Sequence, residues 1–412
     1  MQDILSIYAE AQPDKPGVID DKGHGNVVVW SYAELEAQSN RVANVLLSLG
    51  SGPGRKVIWC GPNSPEVVAV MNATRKIGAV AVPLNYRLTP EEALYVINHS
   101  DADIAYVDAE NAAMFAGLRG QLEKVRHIIA VGGPAGGAVP EAMLTDADIA
   151  AAPASAPEAR APGGSMIYTS GTTGKPKGAF RSGSQDPSAL AALLTLFGYR
   201  PDDVHITTGP LYHSGPSAFM GAGLLYGQTI IVQRKFDAED WLRLVDKYRA
   251  SSTFSAPAPV RMICALPAEV KDRYDRSSMR VMIANAAPWS YALKQKYLAD
   301  FPAESLFEVY GSTELGVDTV LLPQDQLRKR ERAARRLPAS RSGSSTTRVT
   351  RSLVPDLTTA ARSSCGPRPF STPTTRTTPA TSRTGAATST RSATSRTGTT
   401  RATCTSVTAR PT

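Results

Sequence analysis

The chain has 412 residues, is 42% hydrophobic and carries a formal charge of +8, long enough for two or three domains with a substantial apolar core. No stretch approaches the roughly 20 apolar residues that cross a bilayer, and Met1-Gln-Asp-Ile-Leu-Ser-Ile lacks the basic and apolar regions of a secretory leader, so the cytoplasm is the expected compartment. The positive charge does not argue for a nucleic-acid surface: residues 331 to 412 hold 14 arginines against Glu331 and Asp356, whereas residues 1 to 330 hold 31 basic and 35 acidic side chains.

In chain order, Trp30-Ser-Tyr-Ala-Glu-Leu opens a helix that runs on through Ser39-Asn-Arg-Val-Ala-Asn-Val-Leu-Leu47, with Gly50 as its stop. Lys56-Val-Ile-Trp-Cys60 reads as a buried strand, Glu66-Val-Val-Ala-Val-Met-Asn-Ala-Thr-Arg75 as a helix and Gly78-Ala-Val-Ala-Val-Pro83 as a second strand, before another helix beginning at Pro90-Glu-Glu. Strands alternating with helices of this length predict an α/β fold with parallel sheets. Cys60 and Cys264 show neither metal-ligand spacing nor a paired framework.

A further strand, Gly164-Ser-Met-Ile-Tyr-Thr, leads into Tyr168-Thr-Ser-Gly-Thr-Thr-Gly-Lys-Pro-Lys-Gly178. Gly171, Gly174 and Gly178 allow backbone N–H groups to approach an anion, Thr169, Ser170, Thr172 and Thr173 add hydroxyl donors, and Lys175 and Lys177 add charge. A polyphosphate is the ligand this composition suits. A Walker loop is excluded, because its spacing requires glycine at Thr169 and a hydroxyl residue at Pro176.

Pro210-Leu-Tyr-His-Ser-Gly215 follows, then the small, apolar Ser217-Ala-Phe-Met-Gly-Ala-Gly-Leu-Leu-Tyr226, which reads equally as the wall of an alkyl tunnel or as a core helix. Asn285-Ala-Ala-Pro288 is a turn, and Ser305-Leu-Phe-Glu-Val309 is a strand ending in Tyr310-Gly-Ser-Thr-Glu314. A tyrosine face can stack on a purine and a glutamate oxygen suits Mg2+ between phosphates.

Together these segments resemble the AMP-forming acyl-CoA synthetase, luciferase and peptide-synthetase adenylation superfamily over residues 4 to 329. The run from Tyr168 to Gly178 matches its signature [ST]SG[ST]TG.PKG at every defining position, and Leu84-Asn-Tyr-Arg-Leu88 also sits where that family has it. The resemblance implies a large N-terminal domain of the adenylate-forming fold, built from β-α-β subdomains, over residues 1 to 329. It implies nucleotide contacts from Thr169, Ser170, Gly171, Thr172, Thr173, Gly174, Lys175, Ala286, Ala287, Pro288, Tyr310 and Gly311, with Lys175, Thr313 and Glu314 catalytic and Glu314 the Mg2+ ligand. His213 and Gly215 would border the acyl pocket, although Asn285 departs from the family's usual glycine. The implied substrates are ATP, CoA and a carboxylate, a fatty acid first and an aryl acid second. A non-catalytic nucleotide- or acyl-binding protein and an Arg-rich nucleic-acid binder are the alternatives from other classes.

Residues 330 to 412 form an Arg/Ser/Thr-rich tail whose composition cannot bury a core, so disorder is expected. Residues 394 to 412 read TSRTGTTRATCTSVTARPT; GC-rich codons for that string, read one nucleotide earlier, encode DVAYRDDEGYLYVCDRKTDM, which resembles the family's ribose and hinge segment. Residues 340 to 350, SRSGSSTTRVT, back-read in the same frame as VEIRLVDDEGD. The expectation is a lost nucleotide that leaves the N-terminal domain incomplete and the family's small C-terminal domain absent. DNA sequence across codons 328 to 332 is expected to expose a family-like alternative frame downstream, and its absence would remove this explanation.

Overall fold

The structure is a computed structural model that describes residues 3–133, 143–158, 162–169, 175–182, 187–312 and 316–328. Among these, the strands in chain order are β1 (Pro16–Asp21), β2 (Val27–Ser31), β3 (Lys56–Cys60), β4 (Val80–Leu84), β5 (Ile104–Asp108), β6 (His127–Val131), β7 (Gly164–Thr169), β8 (Lys177–Ser182), β9 (Val204–Thr207), β10 (Thr229–Ile231), β11 (Ser252–Ser255), β12 (Val281–Ala284), β13 (Leu306–Ser312) and β14 (Gly316–Leu321). One sheet runs β14-β13-β12-β11-β9-β10-β1-β2 and the other β6-β5-β3-β4-β7-β8. In the first, all pairings are parallel except at the edges, where β2 and β14 run antiparallel. In the second, only β8 is antiparallel, folded back on β7. The α/β class expected from the alternating pattern is what the chain adopts.

Local signals account for the element ends. Ser31 and Glu34 form a reciprocal capping box on the helix Tyr32–Ser48, and Thr89 and Glu92 form another on Pro90–Ser100. Gly50 takes the left-handed conformation, φ +85°, that stops the first of these helices. Both faces of β3 are covered: Val57 and Trp59 pack with Val67, Val68 and Val70 of the helix Pro65–Lys76, while Ile58 and Cys60 pack with Ala93, Val96 and Ile97 of Pro90–Ser100. Burial on both sides explains why this strand reads as a continuous apolar run.

The sheets meet along the ends where their parallel strands finish. Asp108, the last residue of β5, accepts two hydrogen bonds of 3.1 Å from the Arg234 guanidinium just beyond β10. Asn63, beyond β3, donates to the Gly209 carbonyl at 3.0 Å and accepts from the Leu211 N–H at 2.8 Å, both beyond β9. Strand ends of this kind are where open α/β sheets bind ligands.

Asp21 anchors the helix Ala238–Tyr248 to the end of β1. Its buried carboxylate takes hydrogen bonds from Arg243 at 3.0 Å, Lys247 at 2.6 Å and Tyr248 at 2.7 Å, and from the Gly23 N–H at 2.9 Å. Burial alone would raise its pKa, but these donors outweigh it and hold the group well below the usual carboxylate range. The resulting stabilisation is complete above the unfolded carboxyl's pKa of about 3.9 and is lost as pH falls toward the depressed folded value. Asp21→Asn is therefore expected to cost about 2 kcal/mol at neutral pH, because two of the donors are partly exposed, and urea titrations should show the gap to the parent narrowing below about pH 4.

Candidate active site

The hairpin β7–β8 carries the first motif. Tyr168 pairs with Gly178 and Thr169 with Lys177, so the motif's two limbs are the ends of adjacent strands. Ser170, Gly171, Thr172, Thr173 and Gly174 lie outside the described residues. Thr169 is half-buried at the strand end, and Lys175 is exposed, with Nζ 5.1 Å from the centroid of the Tyr95 ring. Burial, reinforced by Tyr95 and Asp101, raises the Tyr168 pKa and keeps the phenol protonated; its Oη lies 2.7 Å from His99 Nδ1. Gly178 also has a packing role: a Cβ there would collide with the end of the Met166 side chain and lie 3.2 Å from the Tyr168 ring.

The second group of residues stands at the ends of β12 and β13. Asn285 donates from Nδ2 to the Val309 carbonyl at 2.9 Å and from its backbone N–H to the Ser255 carbonyl at 3.2 Å, tying the turn to both neighbouring strands. Its Oδ1 also accepts from the Ala286 N–H. The residue that departs from the family's glycine is thus the tether of the turn. Ala286, Ala287 and Pro288 are exposed, and Ala286 sits at φ +68°, a conformation costly for a residue with a Cβ.

Tyr310 is 69% exposed on β13, and the pairing of β13 with β14 shifts register between Tyr310 and Gly311. Such an irregularity re-aims the backbone beside a site. Thr313 and Glu314 lie outside the described residues.

The third group follows β9. His213 precedes the helix Ser214–Leu225, and its N–H bonds the Pro210 carbonyl at 3.1 Å. Surrounding protein, then the nearby Arg87 charge, lowers the His213 pKa, leaving the imidazole neutral at pH 7. Gly215 lies flat against Phe254 of β11, whose ring a Cβ would overlap, and Phe254 stacks on Phe219 at 5.2 Å. The helix itself buries Phe219, Met220, Ala222 and Leu224. Burial of these four side chains is what the core-helix reading of the segment expects.

The structure therefore gathers His213, Gly215, the 286–288 turn and Tyr310 at the finishing ends of neighbouring strands of one sheet, and Thr169 and Lys175 at those of the other. Residues 5–341 match the family model described as AMP-binding enzyme. The chain belongs to that family. Among its relatives, a 3-hydroxybenzoate–CoA ligase from Aromatoleum sp. (strain CIB) is 33% identical over 61% of this chain and 48% of the ligase. A long-chain-fatty-acid–CoA ligase, FadD13 of Mycobacterium tuberculosis, is 28% identical over 75% of this chain and 60% of its own length. The inhibitor-bound N-terminal domain of FACL13 from the same organism superposes with a TM-score of 0.69 at 27% identity, covering 79% of both chains. The chain spans about half the length of the first curated relatives it matches.

This AMP-binding enzyme has sites whose backbone was less legible than their side chains. The cross-sheet bonds of Asn63 and Arg234 join residues more than 100 positions apart and leave no local signature. Among the described residues no helix is long and apolar enough to cross a membrane. Because Ala286 holds a left-handed conformation, Ala286→Gly is expected to raise stability by about 0.5–1 kcal/mol in denaturant unfolding.

Proposed function

We propose that residues 1 to 329 are the nucleotide- and acyl-binding body of an ATP-dependent, AMP-forming acid–CoA ligase. The observation that carries this reading is that the signature-bearing hairpin stands at the end of β7 in one sheet and the Asn285–Pro288 turn and exposed Tyr310 at the ends of β12 and β13 in the other, two sheets bonded to each other at strand ends. In this reading Tyr310 offers its face to adenine, with Ala286, Ala287, Pro288 and Gly311 forming the adjoining backbone. Thr169 to Lys175 surround the phosphates, and Lys175 and Thr313 offset charge at the reacting phosphoryl group. The carboxylate oxygen attacks the α-phosphorus and the bond to pyrophosphate breaks; the CoA thiolate then attacks the acyl carbonyl carbon of the acyl-adenylate, and the C–O bond to AMP breaks.

Mg2+ would neutralise phosphate charge; Glu314, its expected ligand, is outside the described residues, so no step is assigned to it. On the acyl side His213 is neutral and Gly215 packs against the buried Phe254–Phe219 stack, apolar surroundings suited to an uncharged chain. A fatty carboxylate is the first choice and an aryl carboxylate the second, since relatives of both kinds share this chain's sequence. The expected setting is the cytoplasm.

Residues 330 to 412 are read as out of frame, which places Thr394 where the resembled family has its ribose-binding aspartate. ATP should raise the thermal midpoint of the 412-residue chain, while pyrophosphate exchange should run at least about 100-fold below that of a frame-restored chain. A carboxylate panel on the restored chain should favour long alkyl acids over hydroxybenzoate. Ordinary exchange by the 412-residue chain would refute the reading of a depleted site, and absence of any ATP effect would favour neither ligase nor nucleotide binder.

A further inference from the structure

Tyr95 and His99 stand one helical turn apart on Pro90–Ser100, and their rings lie 5.4 Å apart on one face of that helix. This face meets both limbs of the β7–β8 hairpin. On the entering limb, His99 Nδ1 shares its 2.7 Å hydrogen bond with Tyr168 Oη, and the two rings meet edge to face at 5.7 Å. On the returning limb, Tyr95 Oη donates to the Pro176 carbonyl at 3.4 Å, and the Lys175 ammonium rests over the Tyr95 ring. None of these contacts belongs to the hairpin's own ladder, and none involves the other sheet.

We propose that Tyr95 and His99 are positioning residues for the phosphate-binding hairpin: they fix the separation of its limbs and hold Lys175 at the loop's exit. The inference rests on the reading of that hairpin as the phosphate site. A lysine on a flexible stem loses rotamer freedom when it engages an anion, and a ring that already restricts the ammonium reduces that loss. The ring contacts one side of the ammonium and leaves its remaining N–H donors for an anion. His99 acts through Tyr168, whose protonated phenol keeps the hydrogen bond across the neutral pH range. Helix Pro90–Ser100 is itself fixed by Ala93, Val96 and Ile97 in the core beside β3, so the hairpin is referenced to the rigid part of its own sheet.

The test uses the full 412-residue chain and two probes, ATP with Mg2+ and adenosine, titrated calorimetrically. Tyr95→Leu and His99→Ala should each weaken ATP about tenfold and leave adenosine unchanged, because only ATP reports the phosphate loop. Tyr95→Phe keeps the ring face and should recover most of the loss. Tyr168→Phe, which removes a single hydroxyl, should weaken ATP about threefold and serves if the truncating variants fail to fold. ATP binding that is unchanged or tighter in these variants overturns the proposal, as does equal loss of ATP and adenosine. A parent chain that binds neither probe overturns the nucleotide reading and the positioning role with it; a parent that binds both, with variants that bind ATP equally well, overturns the positioning role alone.

Discussion

The two sheets of this protein are joined at their strand ends by an ion pair whose carboxylate is buried, and that junction relates the candidate site residues of one sheet to those of the other. Asp108 is only 5% exposed, and both of its oxygens are taken by the planar Arg234 guanidinium, which also reaches Glu110 at 2.9 Å. A bidentate fork specifies direction as well as distance, so it fixes the angle at which the strand ends face one another. Gly61 is required by the same contact, because a Cβ there would come within 2.8 Å of the Asp108 Cβ. Such a pair adds little net stability over an apolar substitute, yet removing one partner strands a buried charge at a cost of about 3–5 kcal/mol. Acids crowd the surroundings: burial raises the pKa of Asp146, with Glu66 and Asp108 adding to the shift, which makes the Arg234 cation difficult to replace.

What the sequence makes legible is whatever is local. The strand read at Lys56–Cys60 is β3 residue for residue, and the one read from Gly164 to Thr169 is β7, because unbroken apolar or β-forming runs between turn signals survive any tertiary context. The helix read from Trp30 begins instead at Tyr32, since Ser31 caps it and Trp30 is still in β2. The strand read at Ser305–Val309 runs from Leu306 through Ser312, so Tyr310 and Gly311 lie within it. The sheet order was not legible, because β10 inserts between β1 and β9 through contacts with no sequence period.

The candidate site divides in the same way. Residue types announced the chemistry, but not which members of each motif are structural. Gly178 and Gly215 look equivalent to the loop glycines in sequence, yet each packs closely on a neighbouring side chain, Met166 in one case and the Phe254 ring in the other, and the rigid ring leaves no room for a Cβ at Gly215. Asn285 looks like a defect in its motif, yet its amide adds a bond from the end of β12 to β13 beyond their ladder. Its cost appears one residue later, in the left-handed Ala286, a strain that the surrounding hydrogen bonds sustain.

On the proposed reading, the chemistry requires two environments that do not mix well. Phosphate needs charged, solvated donors, and these come from the exposed hairpin of one sheet, with Lys175 at its exit. An acyl chain needs apolar surroundings, and the other sheet supplies them: Gly215 lies against Phe254, which stacks on Phe219, and Phe197 meets both Phe219 and Phe307 in one buried cluster. A single sheet could not offer both at one strand end without burying a lysine among aromatics or exposing the aromatics to water. Placing them on separate sheets removes the conflict and leaves one requirement, that the two sets of strand ends be held in place relative to each other. Arg234 and Asn63 meet it from outside the motifs, which is why the residues that decide the geometry are not those that advertise the reaction.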